Sequence, residues 1–454
     1  MSSEQNASHG ASAPAAALKK VLKPIHLWAI AVGLVISGEY FGWNYGWGVS
    51  GTIGFLIATL LVTLMYVTFI FSFTELTTSI PQAGGPFSYA QRAFGWFGGL
   101  IAGYATLVEF LVTPPAIAFA LGSYSHFLYP SLEVLDVAFA CYVIFILINL
   151  LGIKESAMFS LVVTLLAVGE LLIYIGIVAP HFSYETFVTE PMPFGWPGVF
   201  AALPFAIWFY LAIEGVAMVA EEVEDPKRTI SRGYIYGILT LVVLALAVMI
   251  FTGGVAHWRL LSEIDYPLPA ALGIVLGRDN SLTQLFASLG LFGLIASFHG
   301  TIIGYSRQIY ALARAGLLPS FLGNVNSRFQ TPHWALIGGG IVGCVALKLG
   351  TTDQVIILAA LGAVVMYMIS MVALFELRRK EPGLERPFTV PVYPYFPLIA
   401  LILSTVCLIA IVYYNIMLSV WFFAGLILVT ILYMATGRHK VTGDNEITAG
   451  NAKV

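Results

Sequence analysis

Charge is scarce in this chain. Asp, Glu, Lys and Arg make up only 10% of its 454 residues, against roughly 25% in a soluble domain. Hydrophobic residues make up 59%. A surface so poor in charge cannot stay dissolved, so most of it must face lipid. The formal net charge of −3 leaves no basic footprint, which excludes nucleic acid as a partner. Cysteine is equally sparse. Cys141, Cys344 and Cys407 lie in apolar runs, with no CxxC spacing and no Cys/His pairing. That excludes a disulfide framework, a zinc site and a redox motif, and predicts three buried free thiols. No nucleotide loop, metal cluster or nucleophile with its base occurs, so no enzyme activity, catalytic residue, metal or cofactor is expected.

What the chain has in abundance is apolar length. A spanning helix needs about 20 mostly apolar residues. Twelve such stretches occur, at 25–49, 52–79, 98–128, 133–152, 156–179, 198–221, 233–256, 283–312, 333–349, 354–377, 396–414 and 417–436. Residues 1–24 and 437–454 are polar and read as cytosolic tails. Cytoplasmic loops carry an excess of Lys and Arg. With the amino terminus inside, eighteen of the 21 basic residues fall on that side, and only Arg259, Arg278 and Lys348 fall outside. An even number of spans with both termini cytoplasmic is the expected topology.

Two spans carry interruptions. The first contains Ser37-Gly38-Glu39-Tyr40-Phe41-Gly42, with a carboxylate amid glycines. The sixth contains Trp208-Phe209-Tyr210-Leu211-Ala212-Ile213-Glu214-Gly215. Unwound backbone at membrane depth must line a cavity or be buried in protein. Interrupted helices five apart point to a transporter of two inverted five-helix repeats. The expected units are residues 25–179 (helices one to five), 198–380 (helices six to ten) and a final pair over 394–436.

Longer motifs add a resemblance. Glu75-Leu-Thr-Thr-Ser-Ile-Pro81-Gln-Ala-Gly84-Gly85-Pro86 ends helix two, Glu224-Asp-Pro-Lys-Arg228 follows helix six, and Ser306-Arg307-Gln-Ile-Tyr310-Ala-Leu-Ala-Arg314-Ala-Gly316 follows helix eight. These resemble the amino acid–polyamine–organocation transporters over residues 20 to 436. Ser37-Gly38-Glu39-Tyr40-Phe41-Gly42-Trp43 is most similar to the bacterial ethanolamine permeases. The resemblance implies an all-helical fold of twelve transmembrane helices with broken helices one and six. It also implies alternating access around a central site in the bacterial inner membrane, coupled to a proton or to sodium.

A charge at mid-membrane is costly, about 2.5–3.5 kcal/mol on insertion scales, so each one needs a reason. The candidates are Glu39, Glu109, Glu170 and Glu214, with His299 the only histidine well inside a span, and no Lys or Arg lies deep enough to pair with them. In amino-acid carriers of the family, the unwound part of helix one binds the substrate carboxylate. Here Glu39 occupies part of that ground, which favours a substrate with an ammonium and no carboxylate, such as ethanolamine. The resemblance assigns Glu214 to coupling and gating, and an ungapped alignment puts Glu109 among substrate-lining positions. The lysine that many members carry in helix five falls at Ala167, and Glu170, one turn later, is the candidate to compensate. Trp208 and Tyr210 flank the second break, and a Trp face suits a small ammonium. The expected substrate site is therefore Ser37, Gly38, Glu39, Tyr40, Glu109, Trp208, Tyr210, Glu214, Gly215 and His299, with Glu214 and Glu170 in coupling. The rival readings are an amino-acid or polyamine exchanger of the same fold and a membrane amine sensor.

Overall fold

A computed structural model describes residues 21–152 and 157–436. Lys19, Lys20, Lys154, Arg438, Lys440 and Lys453, which enter the topology argument, lie outside the described residues. Those described are helical and carry no β-sheet, only an isolated bridge between Leu22 and Val223. We number the spans in chain order. α1 is Pro24–Val35 with its continuation Ser37–Tyr40. α2 lies within Tyr45–Ser79 and α3 within Pro86–Leu128; α4 is Val134–Leu150 and α5 Ala157–Val178. α6 is built in pieces, Gly195–Ala201, Leu203–Trp208 and the 3-10 stretch Ile213–Glu222. α7 is Pro226–Gly253, α8 Ser281–Arg314, α9 His333–Leu349, α10 Thr352–Lys380, α11 Tyr395–Tyr414 and α12 Ile416–Ala435. All twelve apolar stretches are helices.

The differences from expectation are local. Two helices run on without a loop: Gly51 and Gly95, each at φ +70°, bend the chain where α2 and α3 begin. Helix Pro267–Leu276, in the connection from α7 to α8, is too short to span and was not anticipated. Cys407 is buried, but Cys141 and Cys344 are only half-buried. In a lipid-facing protein, an apolar run contributes one face to the protein interior and another to the bilayer.

α3 packs along α10 and α8, and α1 packs against α5, α7 and α8, so the interrupted α1 and α6 lie inside a ring of continuous helices. Both ends of this core are tied. At one end the chain before α1 pairs with the end of α6, Val21 and Leu22 amides donating to the Glu222 carbonyl at 3.0 and 3.1 Å. The family-like motifs converge there. Arg307 reaches Glu222 at 3.5 Å, and the Ala83 amide donates to Glu221 at 2.9 Å. Glu75, buried at the end of α2, takes a forked contact from Arg378 (2.8 and 2.5 Å) and the Val390 amide at 2.7 Å. At the other end, Asn44 donates to the carbonyls of Leu261 and Ile264 at 2.6 and 2.8 Å. Asp265 accepts from Tyr45 (2.8 Å) and from Thr352 (2.9 Å).

Candidate functional site

The two interruptions abut. In α1 the chain leaves the helix at Phe41, which is extended (φ −161°, ψ 173°), and turns at Gly42 (φ +89°). In α6 it leaves after Trp208 and turns at Ala212, in the left-handed region at φ +75°. Gly38 lies against the second break so closely that a Cβ there would sit 2.4 Å from the Trp208 carbonyl oxygen. Only a residue without a side chain permits that approach.

Unwinding frees backbone carbonyls at membrane depth, and side chains take them up. The Leu34 carbonyl accepts from Ser297 (2.6 Å) and that of Tyr40 from Tyr124 (3.1 Å). Phe41 accepts from the Trp208 indole (3.0 Å) and Glu214 from Tyr234 (3.2 Å). Ser37 and Ser297 share a hydroxyl hydrogen bond of 2.8 Å, locking the first break to α8.

Four carboxyl groups ring these breaks. Glu39, Glu109 and Glu214 are fully enclosed, and Glu170 is buried. Neither oxygen of Glu39 meets a donor. Glu170 accepts from the Tyr40 hydroxyl at 2.8 Å, and the same hydroxyl lies 3.2 Å from the Ala167 carbonyl. Glu214 Oε2 accepts from Tyr367 at 3.3 Å, and Tyr367 in turn shares a 2.7 Å hydrogen bond with Tyr66. No Lys or Arg makes an ion pair with any of the four among the described residues. A buried carboxylate without a partner is costly, so each of these groups can lower that cost by taking up a proton or meeting a cation.

Most of the residues singled out from sequence converge here. Gly215 is wedged against Phe110 and Leu34. Trp208 spans the two breaks, its ring edge-on to Phe41 at 5.6 Å. Tyr210 turns to α2 instead, sharing a 2.7 Å hydrogen bond with Thr63. His299 is not brought to the breaks. α8 presents Gly290, Gly293, Ser297 and Gly304 to α1 and α3, and His299 lies on another side, its ring 5.6 Å from Phe145 of α4. Tyr66, Tyr124, Ser297 and Tyr367 were missed. Their one sequence signal is a hydroxyl deep in an apolar run, which many structural residues share.

The amino acid permease family model matches residues 22–436. An uncharacterized transporter of Rhizobium meliloti (strain 1021) is 28% identical over 409 residues, covering 86% of this chain and 85% of the relative. The branched-chain amino acid permease BcaP of Bacillus subtilis (strain 168) is 24% identical over 382 residues, 79% of this chain and 81% of its own. A methylthioribose transporter of the same organism is 27% identical over 357 residues, covering 73% and 75%.

Proposed function

Given that the chain belongs to the amino acid permease family, we propose that it imports a small cationic amine, foremost ethanolamine, by alternating access coupled to protons. The relatives are named for transport, not for enzymatic activity. One is named for branched-chain amino acids and one for methylthioribose, so at these identities the family alone leaves the substrate open. The observation that carries the ethanolamine reading is Glu39: a carboxyl enclosed in the first break, both oxygens without a donor, and no ion pair to a Lys or Arg among the described residues. A substrate carboxylate placed there would be repelled; an ammonium would supply the missing charge and up to three N–H donors. On this reading the two halves 25–179 and 198–380 are the inverted repeats. Ser37, Gly38, Tyr40, Trp208, Tyr210 and Gly215 shape the pocket, and Glu214 couples.

The resident membrane is the bacterial inner membrane, with both termini cytoplasmic. Its potential supplies about 2.3 kcal/mol per charge per 100 mV to a monovalent cation, roughly fiftyfold accumulation before any proton is counted. The proton is the coupling ion on this reading, supported by carboxyls at the breaks that make no ion pair with Lys or Arg among the described residues; uptake that requires sodium would assign the coupling to sodium instead. The test is uptake of labelled ethanolamine into proteoliposomes with a competitor panel. Unlabelled ethanolamine is expected to displace the label and serine to fail. Comparable displacement by serine would overturn the reading in favour of an amino-acid exchanger, and tight binding without flux would mean a sensor.

A further inference from the structure

We propose that the groove between α4 and α9 is a phospholipid site, which seats one acyl chain between the two helices and holds the headgroup phosphate on Lys348. Only the choice of leaflet rests on the cytoplasmic placement of both termini; the groove and its lysine are independent of the substrate.

Three basic residues fall on the outer side, and two of them are satisfied within the protein. Arg259 pairs with Glu190 at 2.7 Å and lies over the Trp258 ring at 4.8 Å. Arg278 lies over the Phe127 ring at 5.1 Å and donates to the Phe127 carbonyl at 3.4 Å. Lys348 is exposed in the last turn of α9 and makes no ion pair among the described residues. Of the three it alone stands on a spanning helix. A lysine near a helix end lays its stem along apolar surface and holds its ammonium at the level of the lipid headgroups.

That ammonium stands at the mouth of a groove of about 390 Å³. Phe139 and Ile146 of α4 and Ile337, Ile341, Cys344 and Val345 of α9 line it, and Lys348 is the only charged residue of the lining. The floor lies where the two helices touch. A Cβ at Gly340 would sit 2.1 Å from Ile146 Cδ1, and one at Gly343 would sit 2.2 Å from the Tyr142 hydroxyl oxygen. Ile341 and Val345 stand above that floor, 60% and 49% exposed.

The dimensions choose the occupant. From Ile337 to Lys348, α9 rises about 16 Å at 1.5 Å per residue. That is the depth of one leaflet, half of a hydrocarbon core about 30 Å thick. Spread over this length, the volume leaves a channel about 24 Å² in section, or about 5–6 Å across. A helix with its side chains is about 10–12 Å across, so a helix of a second copy does not enter. A single hydrocarbon chain does. A fatty chain alone would leave Lys348 without a counter-charge, and a free phosphate would leave the groove unfilled. A phospholipid meets both, with its tail in the apolar length and its phosphate on the ammonium. An anionic headgroup is preferred, since one lysine near an anionic lipid surface contributes about fivefold in affinity. With the termini cytoplasmic, the lipid belongs to the outer leaflet.

The test uses the full chain in detergent, titrated with phosphatidylglycerol and followed by native mass spectrometry and thermal unfolding. One saturable lipid is expected on the parent, with a rise in melting temperature as it binds. Lys348→Gln is expected to weaken that binding about fivefold. Cys344→Trp fills the groove, and is expected to lose both the bound lipid and the melting shift while melting like the parent in detergent alone. Should that variant fold poorly, Val345→Trp at the exposed rim makes the same test. Parent-like lipid binding in Lys348→Gln and in the Trp variant would overturn the site. Inorganic phosphate is expected neither to displace the lipid nor to raise the melting temperature. Displacement would reduce the site to an ion contact at Lys348 and refute the seated chain. A second copy of the protein bound in place of lipid, and lost in the Trp variant, would make the groove a contact between chains and overturn the proposal.

Discussion

Substituting Gly38 tests the central geometric claim, that the two interrupted helices meet backbone to backbone. In Gly38→Ala the new methyl would lie 2.4 Å from the Trp208 carbonyl oxygen, 3.2 Å from its carbon and 3.3 Å from the Phe209 Cα. All three are backbone atoms, so no rotamer change relieves the contact. Reaching ordinary van der Waals separation moves α1 and α6 apart by roughly an ångström. Overpacking of this kind costs about 1–3 kcal/mol, and replacing a helical glycine returns about 0.5–1. The net expectation is a loss of about 1–2 kcal/mol in stability. The effect on transport is larger than on folding, because the same shift stretches the 3.0 Å bond from the Trp208 indole to Phe41 and displaces Glu39. An ångström of misplacement in a preorganised site costs on the order of 100-fold. The assay pairs thermal unfolding in detergent with initial uptake rates. Gly176→Ala in α5 is the control, since nothing lies within 4 Å of a Cβ there; it is expected to be neutral or slightly stabilising. Parent-like melting and uptake in Gly38→Ala would refute the abutment.

Two further outcomes follow from the ends of the molecule. Burial pushes the Asp265 carboxyl from its ordinary 3.8 up to about 6. The docked connection therefore binds that proton more tightly than an undocked one. Docking is strongest below the free value and weakens as pH rises to about 6, by about 3 kcal/mol in all. Amide exchange across residues 254–266, corrected for intrinsic rates, is expected to be slower at pH 4.5 than at pH 7, and Asp265→Asn to abolish the difference; the opposite order would refute the linkage. Tags at either terminus are expected to be labelled only after cells are permeabilised, and external labelling of one would mean the orientation is inverted or a span miscounted.

Hydropathy and backbone chemistry are local properties, and what depends on them was legible from the residues alone. Each of the twelve apolar runs is a helix because lipid leaves a buried backbone no other partner for its amides. The breaks at 37–42 and 208–215 were legible for the same reason: glycine beside a carboxylate is poor helix and poor lipid-facing sequence at once. Glu39 and Glu214 could be found that way. The Pro267–Leu276 helix could not, since ten residues make neither a span nor a clear loop. Only the tertiary structure decided which way each polar side chain turns, because helical phase against neighbours is set by packing between segments far apart in sequence. Packing sets His299 against Phe145 while Ser297, two residues earlier, holds the Leu34 carbonyl. It also turns Tyr210 to Thr63 and brings Tyr66, Tyr367 and Glu214 from three helices into one chain of hydroxyl and carboxyl groups.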